Sequence, residues 1–143
     1  MEYTEIELAL VRNQKEAFTV VIDIAVTEMK DQIREAIKER WLRSDSVNGG
    51  KIGDYYSLSY KSLKLLKNPS GGGNVDLTQT GSLGDNIDII MGATGNYEII
   101  STDSKYLAIG AKYGFDEFGL TAGETTHFMA LLEMNIINRI KNL

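Results

Sequence analysis

The sequence predicts an α+β fold: a long N-terminal helix, a small antiparallel β-meander and a C-terminal helix. Three observations carry this. Apolar residues recur at steps of three and four from Gln14 to Arg43, and again from Thr121 to Leu143. Between Ile87 and Ile109, short apolar runs are instead separated by tight turn signals. With 143 residues, 43% of them hydrophobic and 24% charged, the chain reads as a single domain, residues 1–143, able to bury a real core.

In chain order, residues 1–12 are the least decided. Ile6, Leu8 and Leu10 alternate as in a strand, yet the same residues can begin an amphipathic helix. The reading leans to a helix, or to an N-terminal arm over residues 1–13. From Gln14 to Arg43, the residues Phe18, Ile22, Ala25, Met29, Ile33, Ile37 and Trp41 form one apolar stripe. Asp31 with Arg34, Glu35 with Lys38, and Glu39 with Arg43 pair charges at helical spacing on the other face. Such a helix is about 45 Å long at roughly 1.5 Å per residue, more than a small domain readily covers. Val20, Val21, Ile24 and Val26 widen the stripe; a second neighbour and deep burial in one core account for the width equally well.

Ser44 to Gly53 reads as a loop, and Tyr55 to Leu66 as a second helix with Tyr56, Tyr60, Leu63 and Leu66 on one face. Pro69 and the run Ser70-Gly71-Gly72-Gly73 break the chain, so residues 68–75 are expected to form a flexible loop. Ile87 to Met91, Tyr97 to Ser101 and Tyr106 to Ile109 read as three short strands joined by turns at Gly92–Asn96 and Ser101–Ser104. Thr121-Ala122-Gly123-Glu124 matches the capping box that opens a helix. Met129, Leu132, Ile136, Ile140 and Leu143 then continue as a stripe.

The composition excludes several chemistries. There is no cysteine, hence no disulfide framework and no thiol nucleophile. The single histidine, His127, falls inside the last helix with no nucleophile motif around it. One histidine and no cysteine cannot supply a zinc site. The triple glycine lacks the Gly-Lys-Ser/Thr of a phosphate loop. Asp85 with Asp88, Asp116 with Glu117, and Ser101 to Ser104 read as exposed polar residues rather than catalytic or calcium-binding groups. No catalytic, cofactor or metal residue is therefore expected. The apolar runs are too short to span a bilayer, and no stretch is laid out as a signal peptide, so a soluble chain without a membrane partner is expected.

The net charge is −5, which disfavours wrapping nucleic acid. Residues 51–67 carry four lysines against Asp54, whereas residues 68–120 carry seven acids against Lys105 and Lys112. Most of this is solvated surface; in a ring of identical copies the two sides can meet. Tyr55, Tyr56, Tyr60, Lys61 and Lys64 make the best candidate interface in the sequence.

Val75 to Leu83, which contains Leu77, Thr80, Gly81 and Leu83, resembles the Leu-x-x-Thr-Gly-x-Leu signature of phage tail-completion and virion-morphogenesis proteins, the Mu G-like and related tail-component families. In those families the signature follows a Tyr- and Lys-bearing segment and a loop, as Tyr55–Lys67 and the glycine run do here. A strand then leads to a phrase like Glu117-Phe118-Gly119 before a final helix. The Arg-Pro-Phe phrase common at the last helix is replaced by Thr126-His127-Phe128. The resemblance covers most of the chain in order, through short motifs. Thr80-Gly81 is expected to turn the chain, with Leu77 and Leu83 anchoring either side.

The resemblance implies a structural subunit of a tailed bacteriophage particle, assembled in the host cytoplasm. It implies a homo-oligomeric ring at the head–tail junction (neck or connector) or at the tail end (tail completion). Its partners are then other copies, portal, adaptor or tail proteins, and passing DNA that is not bound sequence-specifically. An acidic lumen suits such passage. The alternative reading is a stand-alone adaptor that binds a different protein, without catalytic activity.

Overall fold

The computed structural model describes residues 5–55, 57–78, 81–92 and 96–142, and side chains from residue 17 onward. Its elements are helix α1 (Glu5–Leu42), helix α2 (Leu58–Lys67), a 3₁₀ turn (Pro69–Gly71), helix α3 (Ser82–Asp85), strands β1 (Ile87–Met91) and β2 (Tyr97–Ser101), helix α4 (Tyr106–Tyr113), a second 3₁₀ turn (Phe115–Phe118) and helix α5 (Ala122–Lys141). The fold is α+β: a long N-terminal helix, two antiparallel strands and a C-terminal helix.

Helix α1 begins earlier than the apolar stripe suggests, at Glu5 and not Gln14. The alternation over Ile6, Leu8 and Leu10 is therefore helix and not strand, while residues 1–4 lie outside the described ones. Its stripe makes the core: Ala25, Ile37 and Trp41 are wholly buried, and Met29 and Ile33 nearly so. Phe18, Val20 and Ile24 remain exposed. Of the three helical ion pairs expected, Asp31–Arg34 and Glu35–Lys38 form at 2.8 and 3.4 Å. Arg43 turns instead to Asp45, just past the helix end.

The hairpin packs against α1. Ile87 pairs with Ser101 and Met91 with Tyr97, and Ile87 and Ile89 point into the core. Arg34 Nε donates to the Ile87 carbonyl at 2.9 Å, Lys30 pairs with Asp88 at 2.9 Å, and the Tyr97 hydroxyl donates to Asp23. The expected third strand is absent. Tyr106 to Tyr113 is a helix, because Tyr106, Ile109 and Tyr113 stand at steps of three and four and only a helix turns all three to one side. The sheet is thus a two-stranded hairpin, not a three-stranded meander. The Glu117-Phe118-Gly119 phrase consequently follows a helix and closes a 3₁₀ turn; it does not end a strand.

Helix α5 opens with the capping box read from the sequence. The Thr121 hydroxyl accepts from the Glu124 N–H, and the Glu124 carboxylate accepts from the Thr121 N–H. Arg40, on α1, ion-pairs with that same Glu124. It also donates to the carbonyls of Glu117 and Gly119 at 2.9 and 2.8 Å. At the other end Arg139 of α5 meets Glu28 of α1, so the two helices run antiparallel. Trp41 Nε1 donates to the Glu117 carbonyl at 3.0 Å, and its ring meets Phe118 edge-on, centroids 5.3 Å apart.

The loop at 68–75 is not the free tip expected from its glycines. Val75 N–H bonds to the Gly53 carbonyl at 3.0 Å, and Asn68 Nδ2 to the Leu42 carbonyl at 2.7 Å. The glycines serve geometry: Gly73 has φ of 76°, and a Cβ there would lie 3.0 Å from the Lys61 side chain and 3.2 Å from the Lys61 carbonyl.

Two outcomes follow. Replacing Arg40 by Met leaves Glu124 and two carbonyls without their buried cation and lowers unfolding stability by about 3 kcal/mol or more, measured by urea denaturation. Gly73→Ala costs about 1–2 kcal/mol, since an L side chain must enter the left-handed region; a freely mobile tip would show no change.

Candidate functional site

Five of the residues singled out in the sequence, Tyr55, Tyr60, Leu77, Gly81 and Leu83, come together around one cavity. A cavity of about 130 Å³ is lined by Tyr55, Tyr60, Val75, Asp76, Leu77, Thr78, Gly81, Leu83, Lys105, Ile109 and Tyr113. Tyr55 and Tyr60 meet edge-on, centroids 4.8 Å apart. The signature segment forms the opposite wall. Gly81 sits at φ 78°, the positive value its turn needs, and directly caps α3. Leu83 is buried in the core and Leu77 packs partly buried against it. Leu77 itself has φ of 54°, an uncommon conformation for a branched side chain. Tyr56 and Thr80 lie outside the described residues. Phe118 and Gly119 lie elsewhere: Phe118 is wholly buried beside Trp41, and the Gly119 carbonyl serves Arg40. Both are parts of the scaffold.

Lys64 departs most from expectation. Placed by the sequence in the candidate interface, it points inward and is only 7% exposed. Its ammonium lies 2.8 Å from Asp76, which is 1% exposed. Asn68 Nδ2 donates to the other Asp76 oxygen at 3.0 Å, and the Thr78 N–H donates at 3.0 Å. Burial pushes the Asp76 carboxyl up, but the Lys64 ammonium, the Asn68 amide and Thr78 together bring it below the usual carboxylate range. Burial is also the main reason the Tyr55 hydroxyl is pushed up to about 12. Lys61 pairs with Asp54 at 2.8 Å and Lys51 with Asp45 at 3.3 Å. The basic segment is thus largely neutralised within the chain.

Because α2 turns Tyr60 and Lys64 inward, its leucines face out. The helix starts at Leu58 behind an N-cap from Ser57, not at Tyr55. Leu58 and Leu66 are each 81% exposed, and Leu63 and Leu65 about half exposed. The face read over Tyr60, Leu63 and Leu66 is divided: Tyr60 lines the cavity, whereas Leu63 and Leu66 face solvent. A second apolar surface runs along α5, where Met129, Met134, Ile137 and Ile140 are exposed. Of the stripe read along α5, Leu132 packs half-buried against the core and Ile136 is half-buried, whereas Met129 and Ile140 are exposed and Leu143 lies outside the described residues. A shallow, open groove bounded by α5 side chains alone follows this side of the helix between Thr125 and Ile137.

Three of the four carboxylates weighed as candidate acids have structural partners, and the fourth, Asp116, is exposed. Asp85 pairs with Lys38 at 2.6 Å and Asp88 with Lys30 at 2.9 Å. Glu117, buried, accepts from the Ser46 hydroxyl and from the Val47 N–H at 3.2 Å. His127 is exposed on α5 with its ring edge-on to Phe128. Among the described residues no three His, Asp or Glu side chains are grouped to hold a metal ion, and no helix is long and apolar enough to cross a membrane. Sequence reasoning missed the Lys64–Asp76 pair, which no local pattern announces across twelve residues, and the outward leucines of α2. Comparison with protein families, curated proteins and solved structures finds no match.

The Asp76 environment sets a pH dependence. Its folded carboxyl lies below the unfolded value of about 3.9, so its contribution is fully present above that value. It is lost as pH falls through the folded value. Asp76→Asn, which leaves Lys64 buried without a counter-charge, should lower stability at pH 7 by about 3 kcal/mol. The gap between wild type and variant should narrow below about pH 4. Denaturant titrations at pH 7 and pH 3 read both effects; a gap that widens toward acid contradicts this account.

Proposed function

We propose that this chain is a structural subunit of a tailed-phage particle. It assembles with copies of itself into a ring at the head–tail junction or tail end, and performs no chemistry of its own. The observation that carries the self-assembly is the inversion of α2, a helix that buries a lysine and exposes four leucines. Exposed leucines on one short helix, with further exposed apolar residues on α5, mark surfaces that a partner covers. The phage setting rests on the Leu77–Leu83 signature in its ordered context. Gly81 in its turn and Leu83 in the core fit the scaffold role that the signature implies. The non-catalytic reading is supported by the commitment of Asp76, Asp85, Asp88 and Glu117 to ion pairs and hydrogen bonds.

Native mass spectrometry and negative-stain electron microscopy of the purified chain test the reading. A closed multimer at micromolar concentration is expected, with the same protein found in purified virions by peptide mass fingerprinting. A chain that stays monomeric at all accessible concentrations and is missing from particles sinks it.

A further inference from the structure

We propose that the subunits join head to tail, the leucine face of α2 on one copy seating in the groove along α5 of the next. This rests on the self-assembly reading above and names the two surfaces that carry it. Three observations favour this pairing over others. The first is length. Helix α2 has 10 residues, about 15 Å at roughly 1.5 Å per residue. The α5 groove runs from Thr125 to Ile137, about 20 Å on the same rise. The second is charge. Helix α2 contains three lysines and no acid. Lys61 and Lys64 are paired within the chain, whereas Lys67, next to Leu66, has no ion-pair partner among the described residues. The charged residue among those lining the α5 groove is Glu133, exposed, between Met129 and Ile137. A contact of α2 with α2 would offer Lys67 no acidic partner on either helix, and a two-fold contact of α5 with α5 about the groove's middle would bring Glu133 near Glu133. The mixed contact opposes unlike charges while burying leucine on methionine and isoleucine.

The third observation is placement. Helix α2 is tied to the C-terminal end of α1, through Asn68 and the Leu42 carbonyl. The α5 groove lies alongside the middle of α1, on a helix held there by Arg40–Glu124 and Arg139–Glu28. The two surfaces share no residue, so one copy can use both at once. That is the requirement for a heterologous contact, which closes into a ring or continues as a filament.

The absence of cysteine makes the test clean. Lys67→Cys and Glu133→Cys chains, differently tagged, are mixed and oxidised. A disulfide between the two tags is expected, with little cross-linking of either variant alone, and a covalent ladder or closed ring from the double variant. Charge reversal supplies a second reading. Lys67→Glu or Glu133→Lys should weaken self-association on the order of tenfold, and the double exchange should restore it. Leu58→Ser with Leu66→Ser should dissociate the multimer while circular dichroism shows the fold intact, since both side chains are already mostly in solvent. Three results overturn the proposal in different ways. Efficient cross-linking of one variant with itself replaces the mixed contact by a two-fold one. A wild-type multimer indifferent to all these changes leaves self-assembly standing but refutes the chosen surfaces. A monomeric wild type that binds phosphatidylserine vesicles, and loses this with the leucine changes, refutes self-assembly and assigns α2 to a lipid surface.

Discussion

The structure depends on the clasp around Arg40. A guanidinium 3% exposed ties the last turn of α1 to two carbonyls of the turn before α5 and to the first-turn carboxylate of α5. Burying an arginine is costly unless its donors are satisfied; here two carbonyls and a carboxylate receive the terminal amines, while Nε is buried without a hydrogen-bond partner. Glu124 acts twice, closing the capping box and neutralising Arg40. Glu117 extends the clasp to a third segment, its carbonyl serving Arg40 and Trp41 and its carboxylate serving Ser46 and Val47. Trp41 and Phe118 seal it on the apolar side. The start of α5, the Phe115–Phe118 turn and the 44–53 loop are therefore all indexed to one turn of one helix.

That arrangement decides what is left uncovered. With α5 fixed along α1 and the hairpin laid across it, the core is filled by α1, Leu83, the inner strand residues, Phe118 and Phe128. A chain of this length has limited interior, and α2 lies at its margin. What holds α2 in place is polar: the Lys64–Asp76 pair, with Asn68 bridging Asp76 to the end of α1. An inner face that carries an ion pair cannot also receive leucines, so they point outward. The unusual surface of α2 is thus a consequence of how α2 is anchored and not a failure of packing.

Much of this was legible in the sequence, and the failures have physical reasons. The stripe Ala25, Met29, Ile33, Ile37, Trp41 is buried as its spacing requires, and the Thr121–Glu124 box and the Gly81 turn are as read. Helix α4 was misread because Tyr106 to Ile109 is too short for alternation and helical period to differ; the deciding residue, Tyr113, lies a turn further on. The triple glycine suggested freedom where the chain needs left-handed φ and a close approach to Lys61. On α2 the helical spacing is present, but the face over Tyr60, Leu63 and Leu66 divides between the cavity and solvent. Periodicity shows that a face exists, but whether that face looks inward depends on a carboxylate beyond the helix.

The length of α1 bears on the same question. The contacts Arg40–Glu124 and Glu28–Arg139 place α5 antiparallel along the C-terminal half of α1. Helix α5 ends at Lys141, two residues past Arg139, whereas α1 continues from Glu28 back to Glu5. The N-terminal part of α1 therefore runs on beyond the last turn of α5, and there Phe18, Val20 and Ile24 are exposed. A protruding helix gains little from packing within its own domain, and helices in proteins owe most of their stability to packing. Two independent elements, α2 at one end and the start of α1 at the other, thus carry apolar side chains that their own domain leaves in solvent. The wide stripe over Val20 to Val26 had two readings, deep burial or a second neighbour. Exposed Val20 and Ile24 beside buried Val21, Ala25 and Val26 favour the second, because one core cannot account for both sides of the helix.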